Sequence, residues 1–183
     1  LSSADSFLNK LIIASLPIFL VGFIFRDFVS ENLRTLNTIA ISTILFGFIL
    51  WGANYFSKAH SEKKLVSVRD AFLIGLAQCF ALIPGASRSA VTIICALFLS
   101  YSRSVSSKFA FMLAIPTLGV IFISELASIS FSSFEEGWLN IFLITFFSFI
   151  TSYACISLFL KFIERVGFMP FVLYRVILGS FLL

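Results

Sequence analysis

Apolar runs fill most of this chain and leave little between them. They cover residues 11–25, 37–53, 71–83, 90–100, 109–126, 138–160 and 169–183. Runs this uniform cannot be divided into helix and strand by periodicity. The solvent decides instead. A bilayer core satisfies no exposed backbone groups, so it admits only helices and closed barrels. The runs do not alternate apolar with polar, so helices are predicted. Composition agrees: the chain is 60% hydrophobic and 12% charged, with mean hydropathy +1.07. A soluble domain is nearer half apolar and a quarter charged. The predicted fold is an all-α polytopic membrane protein, a single integral membrane domain over 1–183. About five spanning helices are predicted, and residues 71–100 are predicted to form a re-entrant helical hairpin.

Other function classes find little support. The net charge of +4 is spread over short loops rather than one face, so no nucleic-acid partner is indicated. Cys79, Cys95 and Cys155 all lie in apolar segments without CxxC spacing, which suggests small packed residues, not a disulfide or zinc site. The single histidine, His60, sits in the polar stretch SKAHSEKK and reads as a solvated loop residue. The first ten residues, LSSADSFLNK, lack the basic start and cleavage site of a signal peptide.

The hairpin follows from two runs that are too short. Runs 71–83 and 90–100 reach only about 20 Å and 17 Å at 1.5 Å per residue, against a core of about 30 Å. IPGASRS lies between them. Proline removes an N–H and disfavours helix in the residue before it, and glycine permits positive φ. Two half-helices meeting at a turn fit this pattern; a single kinked span is the alternative. Loop charge separates the two. Segments 54–70, 101–108 and 161–168 are rich in Lys and Arg, whereas 127–137 carries Glu135 and Glu136 without a base. The positive-inside rule places the first three on the cytoplasmic side and the last outside. The chain between 70 and 101 must then enter and leave on the same side, as a hairpin does and a kinked span does not. Trp51, Tyr55 and Trp138 fall near predicted helix ends, where interfacial aromatics collect.

The tip of the hairpin has the composition of an anion site. A helix start carries unpaired N–H groups and the positive end of the dipole. Arg88 adds a permanent charge with a fork suited to phosphate, and an arginine at membrane depth marks a functional position by default. Its structural alternatives are snorkelling to the interface or capping a neighbouring helix. Ser87, Ser89 and Thr92 add hydroxyls, suited equally to capping and to ligand contact; Ser89 and Thr92 are three apart and share a face. Gln78 suits either a bond across the hairpin or the lining of the same cavity. No pair of acidic residues lies at helical spacing within a membrane segment, so metal-binding or catalytic carboxylates are missing from this sequence.

These residues carry a resemblance. DAFLIGLAQCFALIPGASRSAVTI, residues 70–93, closely resembles a signature of the bacterial undecaprenyl-diphosphate phosphatase, or bacitracin-resistance, family, roughly DAxxIGxxQxxAxxPGxSRSGxT. SRSVSSKFAFMLAIPTLGV (102–120) and FVLYRVILG (171–179) resemble later segments of that family, so the likeness covers almost the whole chain. It implies removal of the terminal phosphate of undecaprenyl diphosphate, which recycles the lipid carrier for peptidoglycan synthesis and gives bacitracin resistance. It also implies a multi-pass protein of the bacterial inner cell membrane, an inverted-repeat fold with two re-entrant hairpins, and a polyprenyl diphosphate substrate. Homodimerisation stays open. The family's functional arginine and threonine match Arg88 and Thr92. With Ser87 these are the catalytic candidates; Gly85, Ser89 and Gln78 are the substrate-binding candidates. A divalent metal, Mg or Ca, is implied, with its ligands expected outside this chain. Ala90 departs from the family's usual glycine, where an added methyl could narrow the pocket.

An earlier signature of the family, with glutamates and a serine, is absent. LIIASLPIFLVGFIF and FMLAIPTLGVIFIS align on Pro17 and Pro116, which places the partner motif before Leu1. The expectation is a C-terminal portion of the enzyme that supplies the phosphate-binding half of the site and does not turn over alone. The alternatives are a transporter binding an anionic lipid or phosphate at the hairpin, or an inactive remnant. A histidine-dependent lipid phosphatase does not fit a chain whose one histidine is in a polar loop. The 25 phenylalanines suit a groove for the polyprenyl tail and lipid-facing packing equally.

Overall fold

The computed structural model describes residues 3–60, 66–128 and 138–183. Expectations resting on Glu62, Lys63, Lys64, Glu135 and Glu136, and on the side chains of Lys58, His60 and Trp138, lie outside the described residues. Every regular element described is helical: α1 (Ser3–Asn32), α2 (Leu36–His60), α3 (Val68–Gln78), a 3-10 turn (Cys79–Leu82), α4 (Arg88–Phe98), α5 (Arg103–Ser128), α6 (Trp138–Arg165) and α7 (Met169–Leu182). The chain is an all-α, multi-pass membrane protein. Spans Ser6–Phe25, Leu36–Ser57, Arg103–Leu126 and Leu139–Arg165 are long and apolar enough to cross. The fifth expected span, 169–183, is a shorter helix of 14 residues, about 21 Å at 1.5 Å per residue.

The segment 68–98 is two short helices separated by a break. Ser67 caps α3 by accepting a hydrogen bond from the Asp70 amide at 3.1 Å. The last turn of that arm tightens into the 3-10 turn. Ile83 is extended (φ −71°, ψ 119°), as the residue before a proline must be. Gly85 then takes φ +89°, and α4 begins at Arg88. At its far end α4 closes in a Schellman turn. Ser100 sits at φ 67°, and the Tyr101 and Ser100 amides donate to Ala96 O and Leu97 O.

The two arms start and finish side by side. Tyr101, only 1% exposed, donates its hydroxyl to Asp70 Oδ2 at 2.5 Å and accepts from the Ser67 amide at 3.3 Å. The chain therefore leaves this segment beside the point where it entered. Other contacts gather at the same end. Ser57 Oγ donates to Tyr101 O, Ser104 Oγ donates to Glu164 Oε1, and the guanidinium of Arg103 lies against Gly167. Described residues of the segments 54–70, 101–108 and 161–168 thus lie near one another.

Two apolar clusters hold the arms. One joins Leu11 and Ala14 of α1 to Ala71 and Ile74 of α3 and Leu113 of α5. Gly75 makes the α1–α3 approach: a Cβ there would collide with the backbone of Ala14. The other cluster joins Leu50 of α2, Val91 and Leu97 of α4, and Phe168, just before α7. Most of α6 is exposed, though Ile163 near its end is buried in the second cluster, and Cys155 is exposed rather than packed. Pro17 and Pro116 lie inside α1 and α5, which touch each other.

Burial first, and then the bond to Asp70, raise the Tyr101 phenol above its usual range. Such a group stabilises the fold fully below its unfolded pKa of about 10 and loses that contribution as pH rises through the higher folded value. Tyr101→Phe removes the donor and should lower stability at neutral pH by about 1–3 kcal/mol. It should also remove this alkaline loss, as read from melting temperature against pH in detergent.

Candidate functional site

The site is built around the break. Three successive carbonyls are bonded from outside the hairpin. Ser42 Oγ of α2 donates to Pro84 O, and Thr43 Oγ1 donates to Gly85 O at 3.3 Å. Arg175 of α7 donates through Nη2 to Gly85 O at 2.6 Å and Ala86 O at 3.0 Å, and through Nε to Thr43 O at 3.2 Å. Gly85 lies so close to α2 that a Cβ would stand 2.5 Å from Ile39 O and 2.8 Å from Thr43 Oγ1. Positive φ and lack of space both demand glycine here.

Ser87 then turns the chain into α4 with φ 68° and ψ 117°, a conformation rare for any residue but glycine. Its side chain makes no capping bond; instead its Oγ lies 3.4 Å from Ser89 Oγ. The first turn of α4 therefore presents its amides without a side-chain cap, with the positive end of the helix dipole behind them.

Two clefts open on either flank of this helix start. The first, about 210 Å³, is lined by Ser87, Ser89, Ala90, Tyr174 and Arg175 together with Phe171, Phe168 and apolar residues of α2, α4 and α6. The second, about 530 Å³, lies between α1, the 3-10 turn and α5; Arg88, Arg34, Thr117, Ser124 and Glu125 supply its polar lining. A third groove of about 590 Å³, between α2, α3 and α4, has an apolar lining from Leu45 to Phe98.

The predicted site residues are thus distributed. Ser87 and Ser89 share one cleft and half-buried Arg88 lines the other, because consecutive residues of a helix start point in different directions. Thr92, 2% exposed, turns its hydroxyl back onto its own helix, donating to Arg88 O and Ser89 O at 3.0 Å each. Gln78 is fully buried and bonds neither across the hairpin nor to the tip. Its Nε2 donates to Thr117 Oγ1 on α5 at 3.3 Å, and its Oε1 has no partner among the described residues. The methyl of Ala90 is accommodated at the edge of the first cleft. Sequence reading missed Ser42, Thr43 and Arg175. The Tyr-Arg pair at 174–175 was visible as a motif, but nothing in it told which element it would meet.

The described residues do not compose a divalent-metal site. No group of three His, Cys, Asp or Glu side chains is gathered among them. The carboxylate lining the larger cleft, Glu125, shares it with two arginines.

Removing the glycine tests this geometry. Gly85→Ala should cost at least about 1–3 kcal/mol, from backbone strain and a clash with α2, and should separate the tip from α2. Thermal unfolding in detergent would show the loss; an unchanged midpoint would mean that the tip does not sit as described.

Comparison with known proteins finds relatives of this chain. A family model described as "Bacitracin resistance protein BacA" matches residues 2–181. A protein of Alteromonas mediterranea named undecaprenyl-diphosphatase is 39% identical over 174 residues, 94% of this chain and 65% of that one. Another of the same name, from Chromohalobacter salexigens, is 38% identical over the same shares. The chain therefore spans about two thirds of the length of these curated relatives.

Proposed function

The chain belongs to the BacA family of bacitracin resistance proteins, and from that premise we propose that it serves the hydrolysis of undecaprenyl diphosphate to undecaprenyl phosphate and phosphate. In this reading it recycles the lipid carrier of peptidoglycan synthesis in the bacterial inner membrane, and its own contribution is to hold the diphosphate. One observation carries the reading. The α4 start is uncapped by Ser87, its preceding carbonyls are tied to α2 and α7, and Arg88 stands beside it in a cleft large enough for a diphosphate. Helix-start amides and a guanidinium both favour phosphoryl oxygens, and electrostatic stabilisation is the main work of phosphoryl transfer.

The candidate roles differ. Arg88 neutralises phosphoryl charge from the larger cleft. Ser87 and Ser89 donate from the smaller one. Thr92, bonded to two carbonyls of the first turn, holds that turn in shape rather than reaching the ligand. Gly85 lets the tip approach α2. Gln78 ties the first arm to α5. A divalent cation of the kind phosphatases often use would draw its ligands from outside the described residues.

Transport of an anionic lipid is the rival reading, and the paired clefts flanking α4 suit it. Lipid flux in vesicles without phosphate release would favour that rival.

Binding of farnesyl diphosphate to the purified chain tests the proposal. Arg88→Lys keeps the charge but loses the fork, and it should weaken binding at least about tenfold, or 1.4 kcal/mol. In a full-length family member the change at the matching arginine should lower phosphate release at least about tenfold. Unchanged binding and unchanged release would remove Arg88 from the site.

A further inference from the structure

Arg175 lies far from the hairpin in sequence, yet it makes more bonds to the break than any residue of the hairpin's own arms. One nitrogen, Nη2, reaches both Gly85 O and Ala86 O, while Nε anchors the same guanidinium to Thr43 O on α2. The consequence comes from peptide geometry. In a planar trans peptide the carbonyl of one residue and the N–H of the next point in opposite directions. Fixing Ala86 O toward α7 therefore fixes the Ser87 amide away from it. Ser87 is also the residue held at φ 68°, a strained conformation that persists only where its surroundings enforce it.

The root of Arg175 is held as firmly as its head. Gly47 of α2 lies beneath it, and a Cβ at that position would stand 3.3 Å from Arg175 Cβ. Gly179, one turn further along α7, has Ala40 O and Ile44 of α2 at similarly close range. Two glycines thus bring α7 onto α2, and that close approach sets where the guanidinium falls.

We infer that Arg175 is a positioning residue for the amino terminus of α4. It holds the Gly85 and Ala86 carbonyls so that the first amides of α4 are preset toward an anionic ligand before any ligand arrives. This role rests on the reading of the α4 start as a diphosphate cradle. It differs from the role of Arg88, which contributes charge to the ligand directly. A lysine at 175 could not replace the arginine, because its ammonium lacks the planar fork that bonds several carbonyls at once.

Hydrogen exchange and ligand binding, measured on the same detergent-solubilised chain, test the inference. In Arg175→Ala, amide exchange across 84–92 should accelerate at least about tenfold, while exchange in α1 and α6 stays unchanged. The Kd for farnesyl diphosphate should rise at least about tenfold, and free guanidinium should restore both. Arg175→Lys should behave like Arg175→Ala. Gly47→Ala keeps the guanidinium but displaces its root, so it should shift both readouts in the same direction by a smaller factor. That variant also decides the matter if Arg175→Ala fails to fold. Unchanged exchange across 84–92 would overturn the inference, and so would faster exchange with unchanged binding. If the unaltered chain binds no farnesyl diphosphate while exchange responds as expected, the diphosphate reading fails and the holding of the break by Arg175 stands.

Discussion

A broken helix exposes carbonyls that its own backbone cannot satisfy, and this structure is arranged around that problem. The carbonyls of Pro84, Gly85 and Ala86 would each cost free energy comparable to a lost hydrogen bond if left bare. Ser42, Thr43 and Arg175 satisfy them. The solution binds α2, α7 and the hairpin into one unit. It also explains why α2 and α7 pack at glycine distance, since a larger separation would carry the guanidinium out of reach.

The other end of the hairpin is secured by different chemistry. Tyr101, beyond the end of α4, is bonded to buried Asp70 at the foot of α3. The first arm is fastened to α1 by the close contact at Gly75 and to α5 by Gln78. With foot and tip both fixed, the start of α4 is a rigid feature. Donors held in place before an anion arrives need little reorganisation when it binds, which is the condition for electrostatic stabilisation.

The division of the tip into two clefts shapes what each residue can do. Arg88 shares its cleft with Arg34 and Glu125, whereas Ser87 and Ser89 share theirs with Arg175 and aromatic side chains. A diphosphate lying across the helix start would meet different partners on its two flanks. The first cleft, polar near Ser87 and aromatic beyond, also has the character suited to an amphiphile.

Much of this was legible in the chain itself. The apolar runs and the bilayer's demand for satisfied backbone settled an all-helical, multi-pass fold. Pro84, Gly85 and the shortness of the flanking runs located the break, because proline and glycine act on the backbone locally. Loop charge required the ends of 70–101 to lie together, and Asp70 and Tyr101 do. Tertiary structure alone decided the rest. A one-dimensional pattern identifies Ser87, Arg88 and Ser89 as candidates but cannot say that a helix start sends them into different clefts. It offers Thr92 as a ligand hydroxyl, while the fold turns that hydroxyl onto its own helix. It shows Arg175 only as a charge in an apolar run. Which distant carbonyls that charge answers depends on how closely α7 lies on α2, and that distance is set by contacts between residues more than a hundred positions apart.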